Sequence, residues 1–308
     1  MTAAVIDPLA PAPHGLWSTH GVRVRRRRGL HRRHTRSDSF CAQRFCAIRH
    51  GELLTVEHDI EPDELCDDLA VMLTEQLAVR GALTGHQEFE KVFTGVVRST
   101  VDGGLQSWLR FYRNSLDNLE SGSAAFAPIH AWAADQVLGS RVLDLGSCFG
   151  FFPLRLSRKG IHVTATDLSA PTMNLLGQVS AQLRRPLRTL TCDAAAVPLP
   201  AGAADTVTAL HLIEHLPAHA NLTVIEEALR LARRRVVIAV PFEEEVRECY
   251  GHIQQFSVPV LRDLAVIVGE QVSHDPEELL QQYRAQQQDI QSLRDQLKGI
   301  LAAALERD

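Results

Sequence analysis

Nowhere in the 308-residue chain is there an apolar run of the ~18 residues that a membrane-crossing helix needs, so no span is expected. The opening, MTAAVIDPLAPAPHGLW, lacks a basic start followed by an apolar core, which argues against a secretory signal and for a cytoplasmic protein. Cysteine is sparse and badly spaced for metal. Cys41, Cys46, Cys66, Cys148, Cys192 and Cys249 include no C-x-x-C pair, so free thiols are the expectation. Residues 23–36 lack any acid while carrying eight Arg, against a net charge of −5 for the whole chain. Such a run reads as a solvated, disordered arm, with a contact to RNA as the functional alternative; no aromatic interleaving accompanies it.

What is present is 45% hydrophobic residues, enough for a sizeable core, arranged around residues 141–167, RVLDLGSCFGFFPLRLSRKGIHVTATD. The stretch reads as a strand (142–145), a glycine-bounded turn (146–150), a helix (151–159) and a second strand (162–166). Short apolar runs that end in an acid are how buried parallel strands deliver a residue to the ligand edge of an open α/β sheet. Asp144 and Asp167 are therefore expected side by side at adjacent strand tips. A phosphate-cradling G-x-G-x-x-G is missing, and an acid before the first glycine repels phosphate but suits a cation.

The alternation continues. A helix over 169–183 opens on Ser169 as its cap, a third strand covers 188–192 and leads to Asp193-Ala194, and a fourth strand (206–210) runs into HLIEHLP. A helix over 218–232 and a fifth strand over 235–241 follow. Upstream, CAIRHGELLTVEHDI could form a hairpin around His50-Gly51, and helical patterns follow Pro62. Trp108, Phe111 and Tyr112 read as core before they read as a ligand platform. Downstream, LAVIVG and EQVSH could supply a short hairpin, and residues 275–306 read as one long polar helix with a narrow apolar stripe, suited to a homodimer.

With these residues in hand, the stretch from Val142 to Gly150 resembles motif I of the class I S-adenosylmethionine-dependent methyltransferases, with Cys148 where a middle glycine is usual. The resemblance covers about residues 125–262. It implies an α/β, Rossmann-like class I methyltransferase sheet with helices on both faces, preceded by a helical N-terminal region and followed by a long C-terminal helix. The implied division is a disordered basic arm (1–39), a mainly helical lid or substrate region (40–124), the S-adenosyl-L-methionine-binding domain (125–268) and a helical extension (269–308). It implies cofactor contacts at Asp144, Gly146, Ser147, Gly150, Asp167, Leu168, Asp193, Ala194 and His211, with Asp167 on the ribose hydroxyls and Asp193 on the adenine amino group.

Stripping a proton from an acceptor hydroxyl suits histidine near neutral pH. His215 beside Glu214 is the expected base, with His252 of YGHIQQFS as its partner or substitute. His211, His215 and His219 repeat every four residues, but Pro217 breaks any helix that would align them, so no metal site is expected there. FTGVVRSTV, LQSWLRFYRNSLDNLE, LDLGSCFGFFPLRLS and YGHIQQFS together are similar to the methyltransferases associated with mycofactocin. That narrower resemblance implies a sugar hydroxyl on an oligoglucoside as acceptor. An RNA methyltransferase using the arginine arm and a non-catalytic S-adenosylmethionine-binding module are the alternatives.

Overall fold

The computed structural model describes residues 6–27, 39–243 and 245–267. The chain divides into two units, residues 1–255 and 256–308.

The first unit opens with a sheet that the charge pattern had hidden. Strands β1 (Leu16–Thr19) and β2 (Val22–Arg26) form a hairpin across His20-Gly21, and β3 (Ser39–Cys41), β4 (Phe45–His50) and β5 (Leu53–His58) complete the order β1-β2-β5-β4-β3. Within β2, Val22 and Val24 are buried while Arg23 and Arg25 are exposed, the period-two alternation of a half-buried strand. Three arginines of the basic run are paired with acids: Arg25 with Glu57, Arg26 with Glu61, and Arg27 with Asp59 at 3.6 Å. The expected disordered arm over 1–39 is thus corrected for residues 6–27, which are strand and turn; residues 28–38 lie outside the described residues. The 39/40 boundary cuts through β3, and residues 40–124 contribute three strands as well as helices. The hairpin expected around His50-Gly51 is β4–β5.

Cys41 and Cys46 face each other across the β3–β4 pair and form a disulfide. That corrects the expectation of free thiols for these two. The chain reverses between them, so a spacing that looks idle in sequence becomes a cross-strand pair.

Two long helices cover this sheet. In α1 (Leu69–Leu73) the apolar spacing after Pro62 continues into a π-turn over Thr74–Ala78; α2 (Gly85–Thr100) and α3 (Gly104–Ser121) follow. α2 lies so close to the hairpin that a Cβ on Gly95 would stand 2.3 Å from Val24 and 2.9 Å from Trp17. Arg98 and the Trp108 indole both donate to the Pro8 carbonyl, at 2.6 and 2.8 Å, fastening the N-terminal stretch to the helices.

The second sheet is parallel throughout, in the order β10-β9-β6-β7-β8. Its strands are β6 (Arg141–Asp144), β7 (His162–Asp167), β8 (Arg188–Thr191), β9 (Ala204–Leu210) and β10 (Ala232–Ala239). Helices α4 (Ala127–Asp135), α5 (Phe151–Arg158), α6 (Ala170–Gln182) and α7 (Ala218–Leu231) precede or connect them. Chain order reverses at β6, which makes the carboxyl ends of β6, β7 and β9 the ligand crevice of such a sheet. Ala133, Val142, Phe152, Leu156, Val163 and Val237 form one core against it. Leu154, Ala165, Met173, Leu176 and Val179 share a second, continuous core with Phe45, Val96, Trp108 and Phe111.

In the second unit, α8 (Val258–Ile267) takes in the first four residues of LAVIVG, and the rest of the short hairpin expected from LAVIVG and EQVSH lies outside the described residues. The long C-terminal helix anticipated over 275–306, and with it the dimer, lies outside the described residues.

Candidate active site

β6 ends on Asp144, a 3% exposed carboxyl that accepts a hydrogen bond from the Thr208 hydroxyl of neighbouring β9. Burial pushes its pKa up to about 6; the Thr208 and Ser147 hydroxyls oppose the shift and the charge of Asp167 adds to it. The chain then turns through glycines that the space demands. A Cβ on Gly146 would meet Leu212 at 2.6 Å, and one on Gly150 would meet Leu176 at 2.5 Å; both have positive φ. Between them Ser147 stitches the turn to β7: its amide donates to the Thr166 carbonyl at 2.7 Å, and its hydroxyl donates to the Asp144 carbonyl at 3.1 Å. Cys148, in the usual glycine position, adopts φ 48°, so the turn keeps its left-handed step despite the side chain.

Asp167, at the tip of β7, accepts the Cys148 amide on Oδ2 and the Ser169 amide on Oδ1, both at 2.9 Å. It holds the turn and starts α6, where Ser169 caps the helix as anticipated. Each of its oxygens still has a lone pair to offer a hydroxyl. Leu168 beside it is 77% exposed, an apolar side chain with nothing covering it. Asp193, exposed past the end of β8, accepts the Ala195 amide at 2.8 Å, with half-buried Ala194 next to it. The rings of Phe149, from the same turn, and Trp108 stand 5.5 Å apart, and Phe149 is also 5.5 Å from Phe111 and 5.7 Å from Phe93, so the aromatic residues of α2 and α3 anchor the motif from behind.

Past β9 the second half of the site assembles. His211 sits at φ 56° with Nδ1 3.2 Å from a Glu214 oxygen. Glu214 and His215 belong to a single 3-10 turn (Ile213–His215), and His252 follows another such turn (Glu248–Tyr250) beyond β10. The two loops are tied together: the Ile253 amide donates to the Glu214 carbonyl at 2.9 Å, and Gln254 donates to the Ile213 carbonyl at 2.8 Å. As a result the His215 and His252 rings stand 4.9 Å apart, edge to face. His215 Nδ1 donates to the Gly251 carbonyl at 3.2 Å, and burial holds its pKa below the ordinary value for a histidine. His252 Nδ1 pairs with Glu243 at 2.8 Å.

Exposed His219, on α7, takes no part, so the evenly spaced trio of the sequence does not converge. Sequence reasoning missed Glu243 and two further residues. His86, on α2, leans against Gly251 and bonds to the Cys249 carbonyl at 3.1 Å; its pKa is raised, chiefly by a hydrogen bond to Glu90. Asp67, in the loop before α1, has its pKa pushed up to about 6, first by burial and then by the charge of Asp68. Half-buried Asp67 lies close enough to Cys148 and His211 for charge interactions with both. Only the CDD run beside Leu65 could have flagged Asp67, and apolar spacing drew attention away from it.

Residues 143–240 match the family described as a methyltransferase domain, a span that runs from β6 to the end of β10. A curated relative, the methylase subunit of the type I restriction enzyme EcoEI from Escherichia coli, is 62% identical over 37 residues, 12% of this chain and 8% of that protein. Among solved structures, a SAM-dependent methyltransferase from Aquifex aeolicus is 16% identical over 52% of this chain and 90% of its own, with a TM-score of 0.41. Magnesium protoporphyrin IX methyltransferase from Synechocystis PCC 6803, solved with bound SAM, is 20% identical over 56% and 76%, with a TM-score of 0.40. The [4+2]-cyclase SpnF is 19% identical over 45% and 55%, with a TM-score of 0.39, so this chain spans about half of that protein. Likeness at these levels decides nothing about chemistry.

The sheet order is that of a Rossmann-like α/β domain, and the match to a methyltransferase domain spans residues 143–240 of it, with S-adenosylmethionine as the cofactor. The residues present fit that cofactor. Asp144 and Asp167 end adjacent strands and Asp193 follows the end of the next, an acidic row suited to a ligand with an ammonium group and a sulfonium. Leu168 offers the uncovered apolar surface that an adenine would bury.

Proposed function

We propose that the protein is an O-methyltransferase that moves the methyl group of S-adenosylmethionine to a hydroxyl of a sugar, with the glucose chain of mycofactocin as the acceptor. The observation that carries the reading is the Glu214–His215–His252 cluster, two imidazoles and a carboxyl brought together beyond β9 and β10, at the edge of the sheet that carries the cofactor motif. The cofactor supplies a methyl group on a positive sulfur and leaves as S-adenosylhomocysteine. Asp167 would accept from the ribose hydroxyls and Asp193 from the adenine amino group, while Gly146, Ser147 and Gly150 shape the turn beneath. His215, kept neutral by burial and with Nδ1 engaged by Gly251, has Nε2 free to take the hydroxyl proton as oxygen attacks the methyl carbon and the carbon–sulfur bond breaks. His252, oriented by Glu243, stands beside it as partner. An RNA acceptor is disfavoured by the pairing of Arg25, Arg26 and Arg27 with acids of the protein itself.

The test is incubation with methyl-labelled S-adenosylmethionine and a host extract, followed by mass spectrometry of the labelled product. A methyl ether on an oligoglucoside supports the reading; label on RNA, or on carbon, contradicts it. A His215→Ala, His252→Ala double variant should lose turnover and keep cofactor affinity, which separates an enzyme from a binding module.

A further inference from the structure

Glu214 is fully buried, yet its Oε2 has no hydrogen-bond partner, and neither has the buried Nε2 of neighbouring His211. A buried carboxyl oxygen left unmatched costs stability unless something completes its coordination. No Lys or Arg is paired with Glu214 among the described contacts. Two imidazoles are at hand: one donor atom from each of Glu214, His215 and His252 lies within 4.8 Å of the other two. In both rings Nδ1 is already held, by the Gly251 carbonyl at 3.2 Å and by the Glu243 carboxylate at 2.8 Å, so the nitrogen left over is Nε2. That is the arrangement of metal-ligating histidines, whose second nitrogen is fixed by a carbonyl or a carboxylate. Glu214 is likewise steadied through Oε1 by His211. The Ile253-to-Glu214 and Gln254-to-Ile213 bonds hold the two supporting loops in place.

We propose that Glu214, His215 and His252 form a binding site for a divalent first-row transition cation. Two imidazoles and one carboxylate are a donor set for zinc, manganese or iron rather than for magnesium or calcium, which favour all-oxygen shells. Three protein donors leave coordination positions open, and half-buried His215 leaves an approach for an acceptor hydroxyl. The proposal rests on the acceptor-side reading of this cluster and deepens it: a bound cation would hold the hydroxyl oxygen and increase its acidity, so that the proton passes to solvent water as the oxygen takes the methyl group, with His215 then a ligand rather than the base.

The test is a titration of the chelator-stripped, full-length protein with Co2+, whose visible absorption reports its ligands. One equivalent should bind through nitrogen and oxygen without a thiolate band, and should raise the melting temperature. Glu214→Gln and His252→Asn should each weaken that binding at least tenfold, and Glu243→Gln, which frees the His252 ring, about tenfold. His162→Ala, exposed at the start of β7, should leave it unchanged. Absence of a one-to-one site, a thiolate band, or undiminished binding in both ligand variants overturns the proposal. Methyl transfer that continues unchanged in excess chelator would also overturn it, while leaving the O-methyltransferase reading standing. Cobalt bound as expected with no methylated acceptor under any cation would instead overturn that reading and leave the cation site intact.

Discussion

Cys148 occupies a left-handed backbone step at φ 48°, a conformation that costs a non-glycine residue on the order of 1 kcal/mol. Cys148→Gly should therefore match or exceed the native thermal stability by up to about 1 kcal/mol, offset in part by the greater freedom of glycine when unfolded. Cys148→Val should lower it, since a branched side chain tolerates that step least; a thermal melt of the three proteins checks both. Asp144 makes a pH prediction. Its folded pKa is raised to about 6, so below that value it is neutral and offers nothing to a positive ligand, and above it the charge is present. Cofactor binding should release a proton near pH 6, and affinity measured by calorimetry should weaken up to about tenfold between pH 7 and pH 5. Asp144 and Asp167 were legible because each ends a strand-like run, and Asp193 only through the family resemblance and its order after them. Asp67 and Glu243 were not, because only the fold brings them to the crevice from loops about 80 and 100 residues to either side of the motif.

The N-terminal hairpin and α2 are one packed element. Gly95→Leu should cost about 1–3 kcal/mol in urea denaturation, because even a Cβ there would meet Val24 at 2.3 Å. A neutral outcome would mean that β1 and β2 do not lie on the helix. Alternation in VRVRR was present in the sequence, but two valines between arginines are too few to outweigh the charge, and the parallel partner of β2, β5, lies about thirty residues away. The parallel sheet was legible because strand, turn and helix each carry their own local period. The disulfide was not, since it depends on where the chain reverses between Cys41 and Cys46. Thiol counting on the denatured, unreduced protein should find four free cysteines; six would contradict the pairing.

Across the whole molecule, the N-terminal sheet, α2, α3 and part of the parallel sheet share a single core, with Phe149 of the cofactor turn set into it. Removing residues 1–38 would delete β1, β2 and the Pro8 carbonyl that Arg98 and Trp108 use, so that truncation would report on folding rather than on an arginine arm. Charge reversal at exposed Arg23 is the cleaner probe of nucleic-acid contact and should leave methyl transfer unchanged. The proposed function depends on Asp144, Asp167 and Asp193, at and just past the ends of β6, β7 and β8, holding a positively charged adenosine derivative. The most direct test is calorimetric titration of the full-length protein and of Asp167→Asn with S-adenosylmethionine. One-to-one binding that falls at least tenfold in the folded variant is the expected result; no heat with the native protein, or equal affinity in the two, would contradict the account.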